Sequence, residues 1–136
     1  MTKKEMLTMF HRSIIKDTKV ANDLIKLLTL IRGACINMDG AELNTANEQV
    51  ITAIESLRKN HLVRLKIVSA FGFGQNTQTF IDSLPANINK ELSEKLTNLI
   101  VALKECEEKN KGNGKLFSEQ SEVISKLSKE SMSIRI

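Results

Sequence analysis

Tryptophan and tyrosine are absent from these 136 residues, and Pro85 is the single proline. So sparse a set of rings shows no platform on which single-stranded nucleic acid would stack. With almost no proline and abundant Leu, Ile, Lys, Glu and Asn, the composition favours an elongated helical protein. No apolar run reaches the roughly 18 uncharged residues that a membrane span requires. Near the start, His11, Arg12, Lys16 and Asp17 interrupt the continuous apolar core of a signal peptide, so a cytoplasmic chain with no membrane insertion is expected. Cysteine is scarce as well. Cys35 and Cys106 both fall on helical apolar stripes and read as small buried hydrophobes. His11 and His61 lie far from both in sequence, unlike the closely spaced pairs of a zinc site. Neither a metal nor another cofactor is expected.

What is present is charge of both signs. Lys and Arg number 20 against 16 Asp and Glu, a net charge of +4. The signs are interleaved, as in Lys90-Glu91, Glu94-Lys95, Lys104-Glu105 and Glu108-Lys109. Such mixing belongs to a solvated helix face with i,i+4 pairs, whereas nucleic-acid binders gather Lys and Arg on one side. No nucleic-acid partner is expected. Hydrophobic residues make up 41% of the chain, enough for a modest core, and no long polar break divides it. One helical domain over 1–136 is the expectation.

Three helical segments carry the pattern. Helix one is expected over about 3–38, with a seam at Leu7, Phe10, Ile14, Asp17, Ala21, Leu24, Leu28, Ile31, Cys35 and Met38. Asp17 alone breaks it and reads as a solvated position near one end of the bundle. Asp39-Gly40 supplies a turn. Helix two, about 42–70, has a stripe of Leu43, Val50, Ile51, Ile54, Leu57, Leu65 and Val68, with His61 inside it. Val63 and Ile67 lie on its opposite face, so its second half is expected to be covered on two sides. A loop with a short helix fills 71–84, packing Phe80, Ile81 and Leu84 over a bundle end. Gly72 and Gly74 lack the third Gly or the Lys-Ser/Thr of a phosphate loop.

Pro85 suits the first turn of helix three, expected over about 86–129 with a frayed tail at 130–136. Steps of four and three pick out Leu92, Leu96, Leu99, Leu103, Cys106, Asn110, Asn113, Phe117, Gln120, Ile124 and Leu127, a register that survives Gly112-Asn113-Gly114. Glycine costs about 1 kcal/mol against alanine in a helix interior, and a buried Asn is unfavourable unless bonded. The patch therefore marks a specified register or a deliberate weak point. The fold class is all-α: an elongated antiparallel bundle of three long helices with coiled-coil-like seams, the third the longest. At Gly112-Gly114 two courses stay open. Either the helix projects beyond its partners, leaving Leu116, Phe117, Val123, Ile124 and Leu127 as apolar surface for another protein, or it folds back as a fourth bundle helix.

Three local features give this chain a resemblance to the bacterial flagellar export chaperones of the FlgN type. They are the opening helix ended by Met38-Asp39-Gly40-Ala41-Glu42-Leu43, the end of helix two at Leu62-Val63-Arg64-Leu65 before a Gly-containing loop, and the Asn-rich run from Glu108 to Phe117. The resemblance implies a cytoplasmic chaperone for hook–filament junction proteins. It would hold their C-terminal amphipathic segment by helix-in-groove recognition, prevent premature assembly, and deliver them to the flagellar type III export gate or ATPase complex, as a monomer or homodimer. The positions matching the family's client-binding region are Asn110, Asn113, Leu116, Phe117, Val123, Ile124 and Leu127. Two departures stand out: many secretion chaperones are acidic while this chain is basic, and without Tyr an aromatic contact to the gate falls to Phe117.

Two other classes compete. The seams would equally serve a coiled-coil adaptor or scaffold. A histidine phosphotransfer domain also carries its histidine on a bundle helix, and His61-Leu62-Val63-Arg64-Leu65-Lys66 loosely echoes its pattern. However, Val63, Arg64 and Leu65 stand where Leu, Lys and Gly are required, and His61 sits on the apolar stripe rather than in the open. An ordinary enzyme is not expected: no Ser, His or carboxylate falls in a strand–turn–helix elbow or other catalytic pattern.

Overall fold

The computed structural model describes residues 1–34, 40–111 and 126–129. These are helical nearly throughout, in the order α1 (Lys3–Ala34), α2 (Gly40–Ala70), α3 (Thr77–Asp82) and α4 (Ala86–Lys111), with a further helical turn at 126–129. The fold is all-α, and no strand occurs among the described residues. Cys35, Met38 and Asp39 of the first expected turn lie outside the described residues, and so does Gly112-Gly114. Helix α4 is described as far as Lys111.

The seam of α1 is buried along its length: Phe10, Ile14, Asp17, Ala21, Leu24, Leu28 and Ile31 expose none of their surface. A stripe with a mean step of 3.5 residues stays on one side of a helix, and a helix of 32 residues carries it for about 48 Å. Both α2 and α4 pack along α1, which is the central element of the molecule. Arg64, late in α2, reaches Ser13 and Asp17 early in α1, so these two helices are antiparallel. His11 Nε2 lies 3.3 Å from Glu91 Oε1, and the Cys106 thiol lies against the Ala21 carbonyl. Helix α4 therefore runs parallel to α1.

Two readings of the seams need correction. Asp17 is not solvated; it is fully buried and paired. In α2 the buried positions are Ala46, Val50, Ile54, Leu57, His61, Arg64, Ile67 and Val68, while Ile51 is 40% exposed and Leu65 is only half-buried. Ile51 stands about 100° round the helix from Val50 and Leu65 the same angle from Arg64, which turns both away from the inner face. A purely hydrophobic stripe passes over the inner positions His61 and Arg64, which are both buried.

The short helix closes the bundle end near the start of α1. Asn76 caps α3, its Oδ1 accepting the Thr79 N–H at 3.1 Å. Phe80 and Ile81 are buried as the pattern predicts, and Leu84 is half-buried. Positive φ at Gly72 (89°) and Gly74 (59°) is backbone that side-chain-bearing residues rarely adopt. It lets the loop double back so that Phe71 and Phe73 both meet Phe80, with centroids 4.9 and 5.9 Å away. Phe10 completes the cluster edge-on at 5.3 Å. Four of the five phenylalanines thus form one aromatic cluster, each pair worth about 0.5–1.5 kcal/mol beyond its burial.

Candidate partner-binding site

Helix α4 approaches the expected site along its seam. Leu92, Leu96, Leu99, Leu103 and Cys106 are buried in the order the spacing predicts. Cys106 is a free thiol that donates to the Ala21 carbonyl at 3.3 Å. Burial, with a smaller contribution from Glu105, pushes its pKa up to about 12, so the thiolate is suppressed and the side chain behaves as a small hydrophobe. The next seam position is Asn110, 2% exposed. Neither its Nδ2 nor its Oδ1 has a hydrogen-bond partner among the described residues. On the outer side of the same turn, Lys111 lies 3.8 Å from Glu107 and 3.7 Å from Glu108. The last described turn of α4 is therefore solvated outside and holds an unsatisfied amide inside.

Of the other expected site residues, Leu127 is 5% exposed and belongs to the hydrophobic core, and Ser128 beside it is fully buried. At Leu127 the apolar surface is covered. Asn113, Leu116, Phe117, Val123 and Ile124 lie outside the described residues. The structure thus places Asn110 and Leu127 both in buried surroundings.

A polar cluster escaped the sequence reading. Arg64 Nη1 donates to Asp17 Oδ2 and to Ser13 Oγ, each at 2.6 Å, and Asn60 Nδ2 donates to Asp17 Oδ1 at 2.7 Å. Both carboxylate oxygens are satisfied, as a buried charge requires. The sequence signal was partial: an acid on the seam of one helix points to a base on a neighbouring seam, but which base depends on where α2 lies. His61, one residue from Asn60, is 7% exposed and has a partner of its own. An imidazole so enclosed does not suit phosphotransfer, which needs it in the open.

The family model described as FlgN protein matches residues 6–130. The chain belongs to the FlgN family. The match takes in α1 to α4, the turn at 126–129 and every expected site residue, so the Asn-rich segment is part of the FlgN likeness. FlgN proteins are flagellar export chaperones, and that general role is this chain's. No curated protein and no solved structure matches it. None of the described helices is long and apolar enough to cross a membrane, and no group of three His, Cys, Asp or Glu among the described residues could hold a metal ion.

Proposed function

We propose that this FlgN protein works in the cytoplasm, binding the C-terminal amphipathic segment of flagellar hook-associated junction proteins through its own segment from Asn110 to Leu127. It thereby prevents their premature assembly and delivers them to the type III export gate or ATPase complex. The observation that carries this reading beyond family membership is the end of α4. A seam of buried Leu side chains runs into an amide that has no partner among the described residues. An unmade hydrogen bond at a buried polar group costs about 1–3 kcal/mol. A client helix that supplied the missing donor and acceptor would recover that energy, and its apolar face would meet Leu116, Phe117, Val123 and Ile124, with the core residue Leu127 closing the segment. The unsatisfied amide favours an exchange of partners at this turn over a permanently closed scaffold.

The test is size-exclusion chromatography of the chain mixed with a hook–filament junction protein from the same cell, with and without that client's C-terminal segment. A complex that requires the client segment supports the reading. Coelution that is indifferent to the segment, or no complex at micromolar concentration, contradicts it for that client, and an adaptor with another partner becomes the better description.

A further inference from the structure

Away from α4, the α1–α2 pair carries a trough. At one end is an open hollow of about 590 Å³ lined by Lys4, Met9, Arg12 and Lys16 of α1 and by Asn60 and Val63 of α2. Lys16 and Asn60 also line a second hollow of about 550 Å³, flanked by Lys59. Ser56 joins that one to a third of about 560 Å³, which reaches Leu27 of α1 and Thr45 of α2. From Lys4 to Leu27 the trough follows α1 for roughly 35 Å. None of the described lining residues belongs to α4.

Its charge is uneven. Lys4, Arg12, Lys16 and Lys59 are all exposed, and none makes an ion pair with another described residue. Arg58, by contrast, is held by Glu55 at 3.0 Å. In the first hollow Glu5 is the only acid among the lining residues. The floor there is Met9, 37% exposed, and half-buried Val63, extended by the aliphatic stems of the basic side chains. The far end instead carries Asp23 and Glu48.

We propose that this trough docks an amphipathic helix of a second protein, apolar on its inner face and acidic where it crosses Lys4, Arg12 and Lys16. A straight furrow between two antiparallel helices fits a further helix packed ridge into groove. Asp23 and Glu48 set the direction: a continuous polyanion such as nucleic acid would be repelled there, whereas a helix can carry opposite charges at its two ends. Its described lining shares no residue with the proposed client segment, so it would be a second partner surface beside that reading.

The experiment is fluorescence anisotropy of the full-length chain with a labelled peptide of about 18 residues, roughly 27 Å as a helix. The peptide has Leu at i, i+3, i+4 and i+7 and Glu flanking that stripe; in its control Lys replaces Glu. The acidic peptide binds and the Lys control does not. In the variant R12E/K16E the dissociation constant rises at least about tenfold, while K90E/K104E, the same charge change on exposed positions of α4, leaves it within about twofold. Circular dichroism confirms equal helicity in all three proteins. Failure of the acidic peptide to bind, or binding that survives R12E/K16E or falls equally in K90E/K104E, overturns the proposal. So does tighter binding of a single-stranded oligonucleotide or of phosphatidylserine vesicles than of the peptide, if R12E/K16E abolishes it. That result would mark a general anion surface.

Discussion

At the scale of single residues, the fold is specified as much by its buried polar groups as by its leucines. Asp17 and Arg64 are desolvated together, and removing one leaves the other charged and uncompensated, at about 3–5 kcal/mol. Arg64→Ala is expected to lower the urea midpoint accordingly, and the double variant Asp17→Leu/Arg64→Met to lose less than the two single changes summed. Additive losses would show that the pair is not coupled. Asn110 behaves in the opposite sense. Asn110→Leu removes an amide that is unbonded among the described residues and is expected to stabilise the chain by about 1–3 kcal/mol while weakening client binding; calorimetry against the junction protein separates the two effects. Cys106 gives a pH signature. Its pKa is raised from 9 to about 12 in the folded chain, so above pH 9 the unfolded state loses the proton that the native state retains. The thiol's contribution to stability is full below pH 9 and lost between pH 9 and about 12. In a Cys35→Ser background, alkylation of Cys106 at pH 8 is expected to be slow and to speed up with urea as the native state opens. Rapid alkylation without urea would contradict its burial. Asp17 also shows why part of this chemistry was not legible in sequence: one acid on an apolar seam has two readings, solvated or paired, and only the position of α2 separates them.

At the scale of elements, periodicity was most reliable where a single polar residue interrupts an otherwise apolar inner face, Asp17 in α1 and Asn110 in α4. The seams of α1 and α4 follow their three-and-four spacing, and Leu92, Leu96, Leu99, Leu103 and Cys106 are buried as that spacing expects, while the burial of Ile100 and Ala102 beside them was not legible from it. Helix α2 was harder to read because His61 and Arg64 occupy inner positions, and a hydrophobicity stripe passes over them to Ile51 and Leu65. The short helix was legible from Phe80 and Ile81, but not its start at Thr77, which is set by the Asn76 cap and two positive-φ glycines. Because Phe80 joins Phe10, Phe71 and Phe73, α3 is tied to the core rather than draped over it. Phe80→Ala is expected to cost about 3–5 kcal/mol, read as a fall in the urea midpoint. A loss below about 1 kcal/mol would mean that α3 is dispensable to the fold.

At the scale of the whole molecule, α1 organises everything described. It holds α2 through the Asp17–Arg64 cluster and an apolar seam, and α4 through Leu92 to Cys106. The two proposed partner surfaces are the basic trough between α1 and α2 and the segment that follows the end of α4. The FlgN match covers the chain from residue 6 to residue 130, so the chaperone role and the scaffold belong to one unit of sequence. In sequence the proposed client segment shows only as an apolar stripe beyond an Asn-Gly interruption; its occupant does not show, because a stripe states what must be covered and not by what.

The central claim is that the segment from Asn110 to Leu127 receives the client. The most direct measurement is isothermal titration of the junction protein's C-terminal peptide into the full chain and into the double variant Phe117→Ala/Ile124→Ala, with helicity monitored in parallel. The account predicts a loss of affinity of at least about tenfold, equivalent to 1.4 kcal/mol, with helicity unchanged. Equal affinities for the two proteins would place the client elsewhere on the molecule and contradict it.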